Sequence, residues 1–167
     1  VDLEIEVVME SGSDGGVIFA DRTGGRFIGL AQSGSGADLS SLSGSPVVSI
    51  DGATITTRGQ LYTALEDGLV HIFKAVGCDL SAYSLDELRL GFWSSPSLFF
   101  EGTFLNFIVY DSDGTTKLHS YTGLGNDPWK DTVGSNDGTE SGAFTRQLVS
   151  ASDANDQIDA YGNAIDQ

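Results

Sequence analysis

The sequence predicts a mainly β fold, a β-sandwich or barrel-like domain with one central helix. It has 22 glycines and only 3 prolines among 167 residues, a composition typical of short strands joined by turns. Its first seven residues, VDLEIEV, alternate between apolar and acidic side chains, which is the period of a half-buried strand. Its longest apolar runs, such as FIVY at 107–110, are only strand-sized. We therefore expect residues 1–167 to form a single β-rich domain.

The individual strands follow from alternation and turn residues. In the first strand, Val1, Leu3, Ile5 and Val7 share one face. The segments VIFAD and RFIGL predict a hairpin joined by RTGG, and VVSI and ATIT predict a second hairpin that turns at Asp51-Gly52. The aromatic-rich runs RLGFW, SLFF and TFLNFIVY predict central strands of the core. KLHSY and AFTRQLV predict further strands.

One central helix is predicted over about 57–76. Thr57 followed by Gln60 is a capping-box pattern, and Gly77 is a natural residue for the helix end. Apolar residues then recur at helical spacing, namely Leu61, Leu65, Leu69, Ile72 and Val76. Gly68 weakens the middle of this pattern, so the alternative is a helix to Asp67 followed by a strand at LVHIF.

Three other segments have distinctive compositions. A capping pattern at SLDEL predicts a second, short helix at about 84–88. Residues 31–46 are rich in Gly and Ser and are expected to form a long loop or arm within the domain. The tail at 150–167 is acidic, and its apolar residues suit either a short amphipathic helix or an arm that orders on a partner. These apolar residues are Ile158, Tyr161 and Ile165.

The charge balance excludes some partners. With 24 acidic and 8 basic residues, the formal net charge is −16. Such a field repels phosphate backbones and anionic lipid surfaces, so we expect neither nucleic acid nor membrane as a partner. No apolar run approaches the roughly 18 residues of a membrane-spanning helix.

Catalytic signatures are missing from the sequence. Of its two histidines, His71 lies within the apolar segment LVHIF and is expected to be a structural residue, and His119 is expected to point outward from the predicted strand KLHSY. The sequence has no nucleophile elbow, no Cys/His cluster for zinc and no phosphate-binding loop. Cys78 reads as a small buried hydrophobe. We expect no enzyme and no cofactor, although paired carboxylates leave a hydrolase as a third alternative.

Two features of the long polar segment after residue 110 suggest contacts. Asp111 and Asp113 in DSDG are calcium candidates, but the simpler prediction is a turn in which these side chains bond their own backbone. Trp129, in GNDPWKD, would stack on a sugar, anchor a protein contact, or fold as a lid over the core of its own domain.

By overall texture the chain resembles small structural proteins of tailed-phage particles, of the capsid decoration or tail type. The features that carry this resemblance are the short strands turned by Gly and Asp, the lone helix with TTRGQLYTALEDG, and the acidic balance. The resemblance implies a non-enzymatic subunit of a symmetric assembly, whose partners are copies of itself and other subunits. It implies synthesis in a host cytoplasm and a place on the virion exterior, since a strongly acidic surface is repelled by packed DNA.

The sequence places the predicted assembly contacts first in the N-terminal strand and the 31–46 arm, and also in the loop around Trp129 and the tail. The residues singled out are Val1, Leu3, Ile5, Val7, Trp129, Ile158, Tyr161 and Ile165. The main alternative function is a secreted, extracellular carbohydrate-binding or adhesive β-sandwich that depends on calcium. In that alternative Trp129, Tyr121 and the acidic loops form the binding site.

Overall fold

The computed structural model describes residues 1–21, 27–39, 46–80, 88–91, 100–123 and 129–138. These residues contain nine strands and one helix. The strands form two antiparallel sheets that face each other across a shared core. The elements in chain order are β1 Asp2–Met9, β2 Gly15–Asp21, β3 Phe27–Gln32, β4 Val47–Ile50, β5 Ala53–Ile55, α1 Arg58–Leu65, β6 Val70–Val76, β7 Leu88–Leu90, β8 Gly102–Tyr110 and β9 Lys117–Thr122.

The larger sheet has six strands in the order β5-β4-β6-β1-β8-β9. The first strand of the chain therefore lies inside the sheet, between β6 and β8, with Ile5 opposite both Phe73 and Phe107. A bulge between Glu6 and Val7 shifts the pairing with β8. Because β5 and β9 lie at opposite ends of the strand order, this sheet is open.

The smaller sheet has the order β3-β2-β7 and covers the apolar side of the larger one. The rings of Phe19 and Phe107, one from each sheet, lie 5.8 Å apart. Gly29 allows the sheets to pack closely, because a Cβ atom there would lie 2.8 Å from the ring of Phe73. The prediction of a mainly β, sandwich-like domain with one helix is confirmed.

The predicted helix span of 57–76 is wrong, because the helix covers only Arg58–Leu65. The capping box forms as expected, since the side chain of Thr57 accepts from the backbone of Gln60 and the Gln60 side chain returns to the Thr57 N–H. The helix ends at Leu65, and Gly68 then takes a φ of +75° that turns the chain away. Residues from Val70 onward form β6 instead, because their backbone groups pair with both β4 and β1. The alternative of a helix followed by a strand is confirmed.

Both predicted hairpins are confirmed. The strands β2 and β3 pair antiparallel, and β4 and β5 pair across Asp51-Gly52, whose φ angles are +49° and +84°. Positive φ at both turn residues is the requirement of the tight turn that suits a twisted hairpin.

The described part of the 31–46 loop packs on the domain itself. The N–H of Gly59 donates to the carbonyl of Ser35 at 2.8 Å, and Leu39 is buried in the core. The predicted short helix lies outside the described residues except for its last residue, Leu88, which begins β7. The predicted strand at AFTRQLV and the tail at 150–167 also lie outside them.

In the described part of the chain, no helix is long and apolar enough to cross a bilayer.

Candidate functional site

The first strand serves the core of its own domain. Leu3, Ile5 and Val7 are at most 1% exposed, because β1 is paired on both sides and one of its faces points into the sandwich. Val1 is half-buried, and its ammonium group donates to the carbonyl of Cys78 at 3.1 Å. These four predicted assembly contacts therefore touch their own domain.

The outer face of the six-stranded sheet is the candidate contact surface. We use this name for the side of the sheet opposite the core, which carries the alternate residues of β4, β6, β1, β8 and β9. Four aliphatic side chains there are exposed to solvent, namely Val47 at 59%, Val70 at 44%, Ile72 at 42% and Val76 at 47%. Val47 lies directly opposite Val76, so two of them form one patch across neighbouring strands.

The apolar surface continues beyond β4 and β6. On β1, Val8 lies opposite Val70 of β6, and Ile108 and Tyr110 lie on the same face of β8. Val8, Ile108 and Tyr110 are partly exposed. The strand β6 thus presents apolar side chains on both faces, since Phe73 and Ala75 occupy its inner side. A solvent-facing strand normally alternates apolar and polar residues, so a second apolar face is unusual for a strand exposed to solvent.

Two charged residues of the outer face form an ion pair. Lys74 lies between Ile72 and Val76 along β6, and its Nζ is 2.6 Å from Glu4 Oε2 on the neighbouring strand. The bond to Glu4 raises the pKa of Lys74, so the ion pair persists at high pH. Glu6, the next acid along β1, accepts a hydrogen bond from the amide of Asn106.

The outer face has the dimensions of a small interface. Five steps of about 4.8 Å across the strands and seven residues at about 3.3 Å along β6 give a flat footprint of roughly 600 Å². Accessible area exceeds the flat footprint, and stable interfaces bury about 800 Å² per partner. A depression of about 130 Å³ lies within the face, lined by Lys74, Val76, Tyr110 and their neighbours on β1.

The free edge of the same sheet is covered by residues 129–138, which we call the edge cap. The N–H of Trp129 donates to the carbonyl of Thr122 at 2.7 Å, and the N–H of Thr132 donates to the carbonyl of Ser120 at 2.9 Å. Trp129 is half-buried and packs against the core, as in the predicted lid over its own domain. Its φ of +64° is rare for a bulky residue, and Gly123 leaves room for its ring.

Asp131 holds the edge cap together. Its side chain is fully buried, and one carboxylate oxygen lies 2.6 Å from His119 Nδ1. The carboxylate also accepts backbone N–H groups, those of Ser120, Val133, Gly134 and Asn136. Burial alone would raise the pKa of Asp131, but the hydrogen bonds from His119 and the backbone outweigh it and hold this pKa well below its usual range.

His119 therefore does not point freely outward as the sequence predicts. Alternation places it with Val109, on the inner side of the sheet, where its ring stacks 6.3 Å from Tyr121. Its partner Asp131 is twelve residues further along the chain. Nothing in the local pattern of KLHSY indicates that contact.

The other histidine is held between two carboxylates. His71 Nδ1 lies 2.7 Å from Asp51, in the turn of the β4–β5 hairpin, and His71 Nε2 lies 2.8 Å from Asp67, after the helix. Burial alone would lower the pKa of His71, but hydrogen bonds to Asp67 and Asp51 raise it above its usual value. Hydrogen bonds from Ile72 N–H and His71 lower the pKa of Asp51. The cluster ties three elements together, which confirms the structural interpretation of His71.

The DSDG segment forms a hydrogen-bonded turn. The Asp113 carboxylate accepts from Thr116 Oγ1 and from the N–H groups of Thr115 and Thr116, which lowers its pKa to about 2. Asp111 accepts from Ser112. The predicted bonding of Asp side chains to their own backbone is confirmed. In the described ranges, no three His, Cys, Asp or Glu side chains are placed to share a metal ion.

In the described residues, the His71 ring and the Cys78 thiol, two groups that catalysis could use, are bonded to other residues or buried. Both ring nitrogens of His71 are bonded to carboxylates, and burial raises the pKa of Cys78 to about 12, so its thiol is inert at neutral pH. An open groove of about 610 Å³ runs beside α1, lined by the loop at 34–36 and by Thr54, Gln60 and Thr63. This lining includes no charged side chain, and the Gln60 amide is used in the capping box.

The other four predicted contacts fall into two groups. Trp129 belongs to the edge cap, whereas Ile158, Tyr161 and Ile165 lie outside the described residues. The exposed aliphatic residues of β6 did not stand out in the sequence, because Leu69, Ile72 and Val76 also fit a helical spacing. The available signal was the unbroken apolar character of both alternating sets in VHIFKAV.

Comparison of the chain with protein-family profiles, with curated proteins and with solved structures finds no match. Function is therefore inferred from the residues of the chain itself.

Proposed function

We propose that this protein is a non-enzymatic structural subunit that associates with copies of itself through the outer face of its six-stranded sheet. The observation that carries the proposal is the exposed aliphatic patch on β4 and β6, centred on Ile72 and Val76. Exposed aliphatic side chains that cluster on one sheet face are typical of surfaces that a partner covers.

A second copy of the chain is the partner that the charges favour. At a net charge of −16, two copies repel each other over most of their surfaces. On the outer face, the carboxylate of Glu4 is neutralised by Lys74, whereas Glu6, opposite Ile72, accepts a hydrogen bond from Asn106 and keeps its charge. An isologous two-fold contact would bring together the two aliphatic patches on β4 and β6, with one ion pair in each face.

The engaged state of the candidate catalytic groups supports a non-enzymatic role. His71 has no ring nitrogen left for proton transfer, and the Cys78 thiol is buried and protonated. Both arrangements stabilise the fold, and neither lines the open groove beside α1.

We place the assembly on the exterior of a tailed-phage particle, as a capsid decoration or tail component. Two features support this setting, namely the acidic charge, which suits a surface turned away from packaged DNA, and the short-strand texture of the chain. Other subunits of the particle would be further partners.

The carbohydrate-binding alternative receives less support from the geometry. It needs exposed aromatic faces, but Trp129 packs against the core and the ring of Tyr121 stacks on Phe107 at 5.6 Å. The calcium candidate Asp113 is saturated by hydrogen bonds of its own turn.

The experiment is the solution mass of an outer-face variant by light scattering. The wild-type chain is expected to give a defined oligomer, and Ile72→Lys is expected to give the mass of one chain, because it replaces an aliphatic side chain at the centre of the contact with a long charged one. Val133→Lys is the matched control, since Val133 is similarly exposed but lies in the edge cap, away from the patch. Equal masses for the wild type and Ile72→Lys would refute a contact through this face.

A further inference from the structure

The edge cap covers a second surface that is suited to self-association, the free edge of β9. Among the described residues, this strand is the last of the six-stranded sheet, and its one strand partner is β8. On its other side, the N–H and carbonyl of Ser120 and the carbonyl of Thr122 point away from β8, toward the edge cap. When nothing covers it, such a row of backbone groups is a template for another strand.

The cap satisfies these backbone groups without extending the sheet. Trp129 and Thr132 donate backbone N–H groups to the two carbonyls, but the N–H of Ser120 is bonded by a side chain, Asp131 Oδ1 at 3.2 Å. The Asp131 carboxylate also binds the N–H groups of Val133 and Gly134, so the segment curls around it. Beyond this point the cap offers no straight strand for the next chain to continue.

The cap depends on close fits at two glycines. A Cβ atom at Gly134 would lie 2.4 Å from an Asp131 oxygen, and one at Gly123 would lie 2.9 Å from the ring of Trp129. The anchor Trp129 also has a backbone conformation that is costly for a bulky side chain. Such a segment has one arrangement that fits, and its loss would uncover the edge at once.

We propose that the edge cap is an autoinhibitory cover of a latent strand-pairing site, and that the partner held off is the β9 strand of a second copy. Antiparallel pairing centred on Ser120 would place Ser120 opposite itself, with both of its backbone groups bonded in the partner strand. Within β9, the sequence KLHSYT has a lysine and no carboxylate. Two uncovered β9 edges would therefore meet without the acid repulsion that separates the rest of two copies.

This contact is separate from the outer face and is tested where that face is disabled. In the Ile72→Lys background, Asp131→Ala is expected to release the cap and to double the mass measured by light scattering. Release itself is read from a red shift of tryptophan emission, because Trp129 leaves the core. A released cap with an unchanged mass would overturn the proposal.

The matched control removes only the edge donor. Adding Ser120→Pro to Asp131→Ala deletes the N–H that points outward and leaves the bonds between β9 and β8 intact, because proline is tolerated on an edge strand. The triple variant is expected to return to the mass of the background. Persistent doubling would show that the copies pair elsewhere and would also overturn the proposal.

A second variant covers the case in which Asp131→Ala fails to fold. Trp129→Gly removes the anchoring ring and accepts the φ of +64° without strain. It is expected to double the mass in the same background, and adding Ser120→Pro is expected to return the mass to that of the background. A folded Trp129→Gly variant at the background mass counts against the latent edge.

Discussion

Lys74 and Glu4 form a cross-strand ion pair, with Nζ 2.6 Å from Oε2, between the exposed aliphatic residues Ile72 and Val76 on the outer face of the larger sheet. Both side chains are partly exposed, so the pair adds little to the stability of the isolated chain. Its consequence is for contact between copies, because it removes a net charge from the one face where aliphatic residues cluster.

Breaking this pair is expected to weaken self-association without unfolding the chain. Lys74→Met leaves Glu4 unpaired in the patch, and we expect the dissociation constant to rise roughly tenfold, as for a desolvated unpaired charge worth about 1.4 kcal/mol. The measurement is light scattering over a dilution series. The reversed pair, Lys74→Glu with Glu4→Lys, is the control and should restore association. If Lys74→Met associates as tightly as the wild type, the pair does not lie in the contact.

The His71 cluster predicts a pH window for stability. The folded pKa of His71 is raised, so its contribution is fully present below the ordinary value of 6.5 and is lost as pH rises through the folded pKa. The folded pKa values of Asp51 and Asp67 are lowered, so their contributions are present above the ordinary value of 3.8 and are lost as pH falls through the folded values.

We therefore expect the melting temperature to fall as pH rises above about 6.5, through the raised folded pKa of His71. His71→Gln should remove this part of the pH dependence and cost about 1–2 kcal/mol below that pH, because partly buried charged hydrogen bonds are lost. Thermal melts of both proteins on both sides of that pH make the comparison. Identical pH profiles would mean that His71 is not charged in the folded state.

The contact between the two sheets is sensitive to a single methyl group. Gly29→Ala would bring Cβ within 2.8 Å of the Phe73 ring at a φ of +74°, so we expect overpacking of about 1–3 kcal/mol in addition to backbone strain. Gly12→Ala is matched, since it has a φ of +84° and no atom within 4 Å. Chemical denaturation of both variants separates the two effects. An equal loss in both would show that the sheets adjust freely at Gly29.

Salt is expected to stabilise the protein. At a net charge of −16, repulsion within the chain is unscreened at low ionic strength and weakens as the Debye length shortens from about 30 Å at 0.01 M to about 3 Å at 1 M. The melting temperature should therefore rise with added sodium chloride. A melting temperature that stays constant from millimolar to molar salt would argue that the acidic residues are too dispersed to matter.

The sequence predicts local features of this fold better than the contacts between distant segments. The alternation of VDLEIEV identifies β1, and Asp51-Gly52 identifies the β4–β5 hairpin, because each signal lies within a few residues. The predicted helix ran too far because Leu69, Ile72 and Val76 fit a helical period, whereas strand pairing decides their conformation. The same ambiguity explains why the outer face is not predicted, since a helical assignment does not place Ile72 and Val76 on one face of a sheet.

The two histidine clusters could not be predicted for a different reason. His71 meets Asp51 across 20 positions and His119 meets Asp131 across 12, and the topology alone brings each pair together. Trp129, which the sequence predicts as an assembly contact, lies in the edge cap and packs over the core of its own domain.

The most direct measurement of the central claim is the solution mass of the wild-type chain across a wide concentration range, with and without calcium. The account predicts a defined oligomer, an integer multiple of one chain, that is insensitive to calcium and dissociates only on dilution. A single chain at every concentration would contradict self-association through the outer face. If that single chain also responded to calcium, the carbohydrate-binding alternative would take precedence.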